Sequence, residues 1–410
     1  MKALFHNAKV IDGLGGAWTG FVAIDGRRIA RVGRGKPEAA FEGFQRVDLQ
    51  GATLLPGFID CHVHLRSDGD PDPRAQVLGD TEAMAVLRCA ANAKRTLENG
   101  ITTIRDCGCT KHVDFALRRA VNQGLVKAPR LVLSGEFICM TGGHGWNVGR
   151  EADGPDGVRR AAREQLKAGA DNIKMIATGG ILTPGTEIGA AQLTVDELRA
   201  GVEEAKKAGR IAAAHAHGAQ GVKNAVIAGV DSVEHAYLMD EEGAELMIKA
   251  GTYLVATSTA VRNVVNGGVA AGIAADTVRK AQQGLESHVS TFQRAWKMGV
   301  KLAMGTDSGV PMTRHGRNLD ELVYLVEMGL KPMEAIQVAT LSSAKLLKLD
   351  HLIGSIQEGK LADLVVIDGD PLADIRVVQD KSKLRWVILE GEAAAGNDAR
   401  ARAPSGEEPR

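Results

Sequence analysis

From residue 57 to residue 307 the chain repeats one alternation: a short Val/Ile/Ala-rich run, then a longer stretch with helical spacing. The runs are "GFIDCHVH", "TTIRDCG", "RLVLSGE", "NIKMIAT", "IAAAHAH", "SVEHAY", "YLVATST" and "KLAMGTD". Nearly continuous apolar runs suit strands covered on both faces, as parallel strands joined by crossover helices are. Eight such units predict an α/β fold, a (β/α)8 TIM barrel spanning 57–352. Helices are expected over 81–100 and 194–210. The second opens on Thr194 with Glu197 three residues on, a capping-box pattern.

The ends read differently. Residues 1–56 hold short β-like runs split by glycines, and Asp25-Gly26 between two alternating runs signals a hairpin. β texture returns after residue 353 in "LADLVVIDGD" and "LRWVILEGEAA". The simplest arrangement joins 1–56 and 353–393 into a small β-sandwich domain. The polar, Pro/Gly-containing 394–410 is expected to be disordered.

With 410 residues, 44% of them hydrophobic, the chain can bury a sizeable core. Lys+Arg and Asp+Glu number 50 each, which argues against nucleic-acid or membrane-surface partners; the partner expected is a small-molecule substrate. Five cysteines without a CxxC pair do not form a disulfide framework. Cys107-Gly-Cys109 reads as ordinary thiols. The N-terminus lacks a signal-peptide core, and no apolar stretch reaches the ~20 residues of a membrane span. The expectation is a cytoplasmic protein.

In a TIM barrel, reactive groups sit at the C-terminal ends of strands. His62 and His64 end the first run and share one face, with Asp60, because side chains alternate along a strand. Lys174 lies in the fourth run, His215 and His217 end the fifth, His235 ends the sixth, and Asp307 ends the eighth. Of the chain's 11 histidines, this pattern puts five where a barrel builds its site. Neutral imidazoles and a carboxylate suit zinc and similar divalent ions. A protonated Lys174 beside two metals would be repelled, so in the site it must be chemically changed or deprotonated.

Several segments are similar to the amidohydrolase superfamily, in particular its binuclear, prolidase-like (Xaa-Pro dipeptidase type) members. They are "DLQGATLLPGFIDCHVHL", "TGGHG" (141–145), "GADNIKMIATGG" (169–180), "AHAHG" (214–218), "GVDSVEHA" (229–236), "AMGTDSG" (303–309) and "GSIQEGKLADLVVIDGDPL" (354–372). The resemblance implies two divalent ions, zinc first among the candidates. His62, His64 and Asp307 would bind one ion, and His215 and His235 the other. Lys174, carboxylated on its amine, would bridge them. His217 remains an alternative to His215 as the strand-five ligand.

The implied chemistry is attack of a metal-activated hydroxide on an amide carbonyl of a dipeptide or N-acyl amino acid. Asp307 would carry the proton and His144 would donate to the carbonyl oxygen. His144 and His217 would contact substrate. The same machinery could act on a carbamate, urea, aryl amide or ester. Arg262 and Arg314, after the seventh and eighth runs, could hold a substrate carboxylate. A deaminase is less favoured, because no Glu follows His215 closely and Lys174 is present. A non-catalytic barrel should show gaps in the ligand set, and there are none. The resemblance also implies a homo-oligomer.

Overall fold

The computed structural model describes residues 1–37 and 41–397. Each of the eight runs contains a strand. In chain order these are β1 (Phe58–Val63), β2 (Ile101–Asp106), β3 (Arg130–Val132), β4 (Asn172–Ile176), β5 (Ile211–Gly218), β6 (Ser232–Leu238), β7 (Tyr253–Val255) and β8 (Lys301–Ala303). All ladders among them are parallel: β1 to β2 to β3 in one arc, and β4 through β8 in another. Every residue of β1, β2, β4 and β5 is buried, because helices cover the outer faces.

Backbone bonds join the arcs. Cys61 N–H donates to Met304 O at 2.8 Å, Asp307 N–H to His62 O at 2.8 Å and His64 N–H to Ser308 O at 2.7 Å. Across the other gap, Asp171 N–H donates to Leu133 O at 2.7 Å. A short strand, Ile138–Cys139, follows β3 and pairs with β4.

The expected helices form at Glu82–Leu97 and Val195–Lys207, and the Thr194/Glu197 capping box is made in both directions. It satisfies two backbone donors that the first helical turn leaves free. No described helix is long and apolar enough to cross a membrane.

The chain ends form one connected eight-stranded sheet. The Asp25-Gly26 turn joins Ala17–Asp25 to Arg28–Arg34, as expected. Thr53–Pro56 pairs with Leu364–Ile367, so residues more than 300 apart share a ladder. The pairing is thus a single sheet rather than two hydrogen-bonded layers. Its last strand, Glu392–Ala395, pairs with Leu384–Leu389 and carries regular structure past residue 393, into the stretch read as disordered. The rest of that stretch, 398–410, lies outside the described residues.

Candidate functional site

The strand ends deliver His62, His64, Lys174, His215, His217, His235 and Asp307 to one cavity of about 580 Å³, which His144 also lines. Side-chain parity acts as expected on β1: His62 faces the cavity, while Ile59 and Cys61 on the other face join a buried apolar cluster with Ala344 and Leu346. Asp60 shares the His62 parity but supports the site from below, accepting from Thr306 Oγ1 at 2.6 Å and Asn318 Nδ2 at 2.8 Å. His235 lies inside β6, and Asp307 follows β8 by four residues. Both have left-handed backbone, φ 73° and 59°, a conformation non-glycine residues hold only when their surroundings impose it.

Donor–acceptor accounting fixes the ring tautomers. His62 Nδ1 lies 2.8 Å from the Glu234 carboxylate, an acceptor, so Nδ1 carries the proton and Nε2 keeps a lone pair. His64 Nδ1 faces the Gly108 carbonyl at 3.4 Å, and its Nε2 is likewise free to coordinate. His235 Nδ1 is 2.7 Å from Thr257 Oγ1, whose own proton goes to Ala256 O, so this imidazole too is the donor at Nδ1. His215 is reversed: Nε2 meets the Gly179 carbonyl at 3.2 Å and Nδ1 is left as the lone pair. Pinning one ring nitrogen to orient the other is the usual support of a metal-ligating histidine.

The remaining polar atoms lack partners. Lys174 Nζ, His217 Nδ1 and Asp307 Oδ1 are buried without a hydrogen bond. Asp307 Oδ1 nonetheless lies 3.2 Å from His64 Nε2 and 3.4 Å from His62 Nε2, so three potential ligand atoms converge. Ligand atoms of His62, His235 and Asp307 all lie within 4.8 Å of one another, as do those of His215, His217 and His235. Burial holds the imidazoles of His62 and His144 down at about 4 and that of His217 at about 3. Burial alone would raise Asp307, but His62 and His64 bring its carboxyl to about 2. At neutral pH His62, His144 and His217 are therefore neutral beside an ionised Asp307, while at His64 burial is outweighed by Asp307 and the imidazole is pushed up. Imidazoles with a carboxylate are a donor set that fits divalent metal.

A third cluster, His62, Cys107 and Glu234, is also compact. It is poorly suited to metal, because burial pushes the Cys107 thiol up to about 12 and the Glu234 oxygens are occupied. Glu234 and Arg105 form a fully buried ion pair at 2.8 Å beneath His62. The sequence reading missed this support, although a charged Arg inside a buried strand is a signal that a partner must exist. It also missed Tyr237, which lines the cavity with its hydroxyl held by Thr257.

Neither proposed carboxylate-binding arginine lines the cavity. Arg262 pairs with Glu327 at 2.7 Å and stacks on Tyr324, and Arg314 is exposed. Arg66 and Arg74 line it instead. Arg66 donates to the carbonyls of Thr110 and Val77. The walls are mainly apolar, including Pro71, Leu78, Phe137, Ile181, Val261 and Val264.

The profile of the amidohydrolase family matches residues 53–394. The chain belongs to the amidohydrolase family. As a member it is an enzyme. Its sequence is 33% identical to the ochratoxinase of Aspergillus niger over 377 residues, covering 84% of this chain and 76% of that one. Its structure is similar to that of a Xaa-Pro dipeptidase with methionine bound in the active site, with TM-score 0.88 and 36% identity, covering 96% of this chain and 99% of that one. It is equally similar, TM-score 0.88, to a prolidase complexed with N-methylphosphonate-L-proline, at 32% identity and the same coverage of 96% and 99%.

Proposed function

We propose that this amidohydrolase is a binuclear, metal-dependent enzyme that cleaves the amide bond of a dipeptide or N-acyl amino acid. The observation that carries the reading is the pair of buried, unpartnered atoms, Lys174 Nζ and Asp307 Oδ1, facing four imidazoles with free lone pairs. A buried polar atom without a partner is costly unless something binds there. Carboxylation of Lys174 turns that amine into an anion able to ligate two metals.

His62, His64 and Asp307 would hold one ion, His215 and His235 the other, and Lys174 both. His215 is preferred to His217 because Gly179 already orients its ring. Two divalent ions, zinc by this donor set, supply an acidified water and polarise a carbonyl. Asp307 would accept the proton that the attacking water gives up as its oxygen bonds to the carbonyl carbon, and return it to the leaving nitrogen. His144 donates to the carbonyl oxygen as it gains charge. His217, buried at the cavity floor, contacts the substrate.

The named activities of the Xaa-Pro dipeptidase and the prolidase support a dipeptide or N-acyl amino acid. A second reading, the same chemistry on a carbamate, urea, aryl amide or ester, is favoured by one observation. Arg262 and Arg314 lie away from the cavity and Arg66 is already engaged with two carbonyls, which leaves the exposed Arg74 as the one lining arginine for a carboxylate among the described residues.

The test is a hydrolysis screen of zinc- and bicarbonate-loaded protein, with Lys174→Ala as the blank. Turnover of dipeptides and N-acyl amino acids supports the first reading. Turnover confined to substrates without a carboxylate replaces it with the second.

Two architectural readings accompany this one. We infer that β1–β8 form a closed barrel, supported by the backbone bonds across both gaps. We also infer a separate domain of 1–56 plus 353–393 that folds over as a sandwich. Phe5 and Trp386 sit three strands apart in the sheet, about 14 Å if flat, yet their rings meet at 5.9 Å.

A further inference from the structure

Four cavity histidines have one ring nitrogen facing an acceptor, which leaves a lone pair on the other. His144 is built the opposite way. Its Nδ1 lies 2.9 Å from Thr183 Oγ1, and that same oxygen accepts the Gly145 N–H at 2.9 Å. Among the described residues these are the only two partners of the Thr183 hydroxyl, which is buried. If Nδ1 carried the ring proton, the hydroxyl of Thr183, on the cavity wall, would find no protein acceptor among the described residues. If the hydroxyl donates to Nδ1, every group is satisfied and the ring proton moves to Nε2.

We propose that Thr183 is a positioning residue that sets the His144 tautomer, so that Nε2 presents an N–H to the substrate. This rests on the reading of His144 as the group that meets the carbonyl oxygen.

Thr183 is itself held in place. Its carbonyl accepts from Lys280 Nζ at 2.8 Å and from Thr186 Oγ1 at 3.1 Å. Lys280, buried on the helix Ala275–Met298, is also paired with Asp276 at 2.7 Å. On the His144 side, the backbone N–H of His144 donates to Gln192 Oε1 at 3.0 Å, docking its loop onto the segment that follows β4. Gly180 lies against the ring: a Cβ there would come within 2.3 Å of His144 Nε2. Segments after β3, β4 and β7 thus converge to orient one imidazole whose tautomer is that of its neighbour His215 and the inverse of His62, His64 and His235.

The experiment is nitrogen NMR of [15N]histidine-labelled, zinc- and bicarbonate-loaded enzyme, with His144 assigned by its loss in His144→Ala. In the wild type, Nδ1 should show the shift of an unprotonated nitrogen and Nε2 that of an N–H. Thr183→Ser should keep this pattern, and Thr183→Val should lose it. On the probe N-acetyl-L-methionine, T183V should lower kcat about 10- to 100-fold while zinc content stays unchanged, with T183S near wild type.

A protonated Nδ1 in the wild type overturns the proposal. So does a T183V enzyme with the wild-type nitrogen shifts. The wild-type reading needs no Thr183 variant to fold. If the probe is not hydrolysed at all, the proposed substrate class fails, and the nitrogen shifts alone still decide the tautomer.

Discussion

Glu234→Gln tests the support beneath the site. Glu234 is wholly buried and shares its carboxylate between His62 Nδ1, Arg105 Nη2 and Ser232 Oγ, at 2.8, 2.8 and 2.5 Å. Burial favours its neutral form, but Arg105, with Lys174 and His62, overrides this and holds the carboxyl well below its usual range. The amide keeps the shape and one acceptor but removes the charge. Arg105 is then a buried guanidinium with only the Cys61 carbonyl and Ser232 hydroxyl as fixed partners.

Breaking a buried ion pair at one end costs about 3–5 kcal/mol. The surviving hydrogen bonds put this substitution near the lower limit, about 3 kcal/mol. Urea unfolding of chelated protein reads that loss. Zinc affinity should separately fall about 10- to 100-fold, because His62 loses the anion that orients it. Arg105→Met added to E234Q should recover more than half of the lost stability, since no charge is then stranded. An E234Q protein within about 0.5 kcal/mol of wild type, the scatter of surface substitutions, would refute the reasoning.

Lys174→Ala should lose at least one of two zinc ions by elemental analysis, together with most turnover; full turnover with two ions retained would sink the bridging carbamate. His144→Ala should lower kcat about 100-fold with zinc content unchanged, because it removes one donor to the developing oxyanion; unchanged kcat would take it off the catalytic list. His288 is buried 2.8 Å from Ser258 Oγ, and burial, helped by the Arg262 charge, holds it at about 3. Its folded value lies below its unfolded one, so the stability it contributes is complete above pH ~6.5 and is lost as pH falls toward 3. Urea midpoints of chelated protein between pH 7 and 4 should therefore fall less steeply in His288→Gln than in wild type, and equal slopes would refute this.

Local rules acted where the information is local. The Thr194/Glu197 box, the Asp25-Gly26 turn and the eight apolar runs depend on neighbours within a few residues, so the string alone was enough to place them. The convergence of His62, Lys174, His235 and Asp307 was also legible, because strand parity and position at strand ends leave few other arrangements.

What the string withheld was the partner of each individual side chain across the fold. Glu234 follows Ser232 in an ordinary-looking strand; no ladder among the described residues joins β6 to β1 or β2, and only the packing of one arc against the other brings it under His62 and beside Arg105. Arg262 looked available for substrate until the structure set it on Glu327 and Tyr324. The tail boundary moved because Glu392–Ala395 gains its order from a ladder to Leu384–Leu389, not from its own composition. Composition, spacing and periodicity alone specify which residue types are present and which side of an element they face. Ring tautomers, orphaned atoms and buried ion pairs depend on distances of a few ångströms between segments far apart in the chain, and only tertiary packing sets those distances.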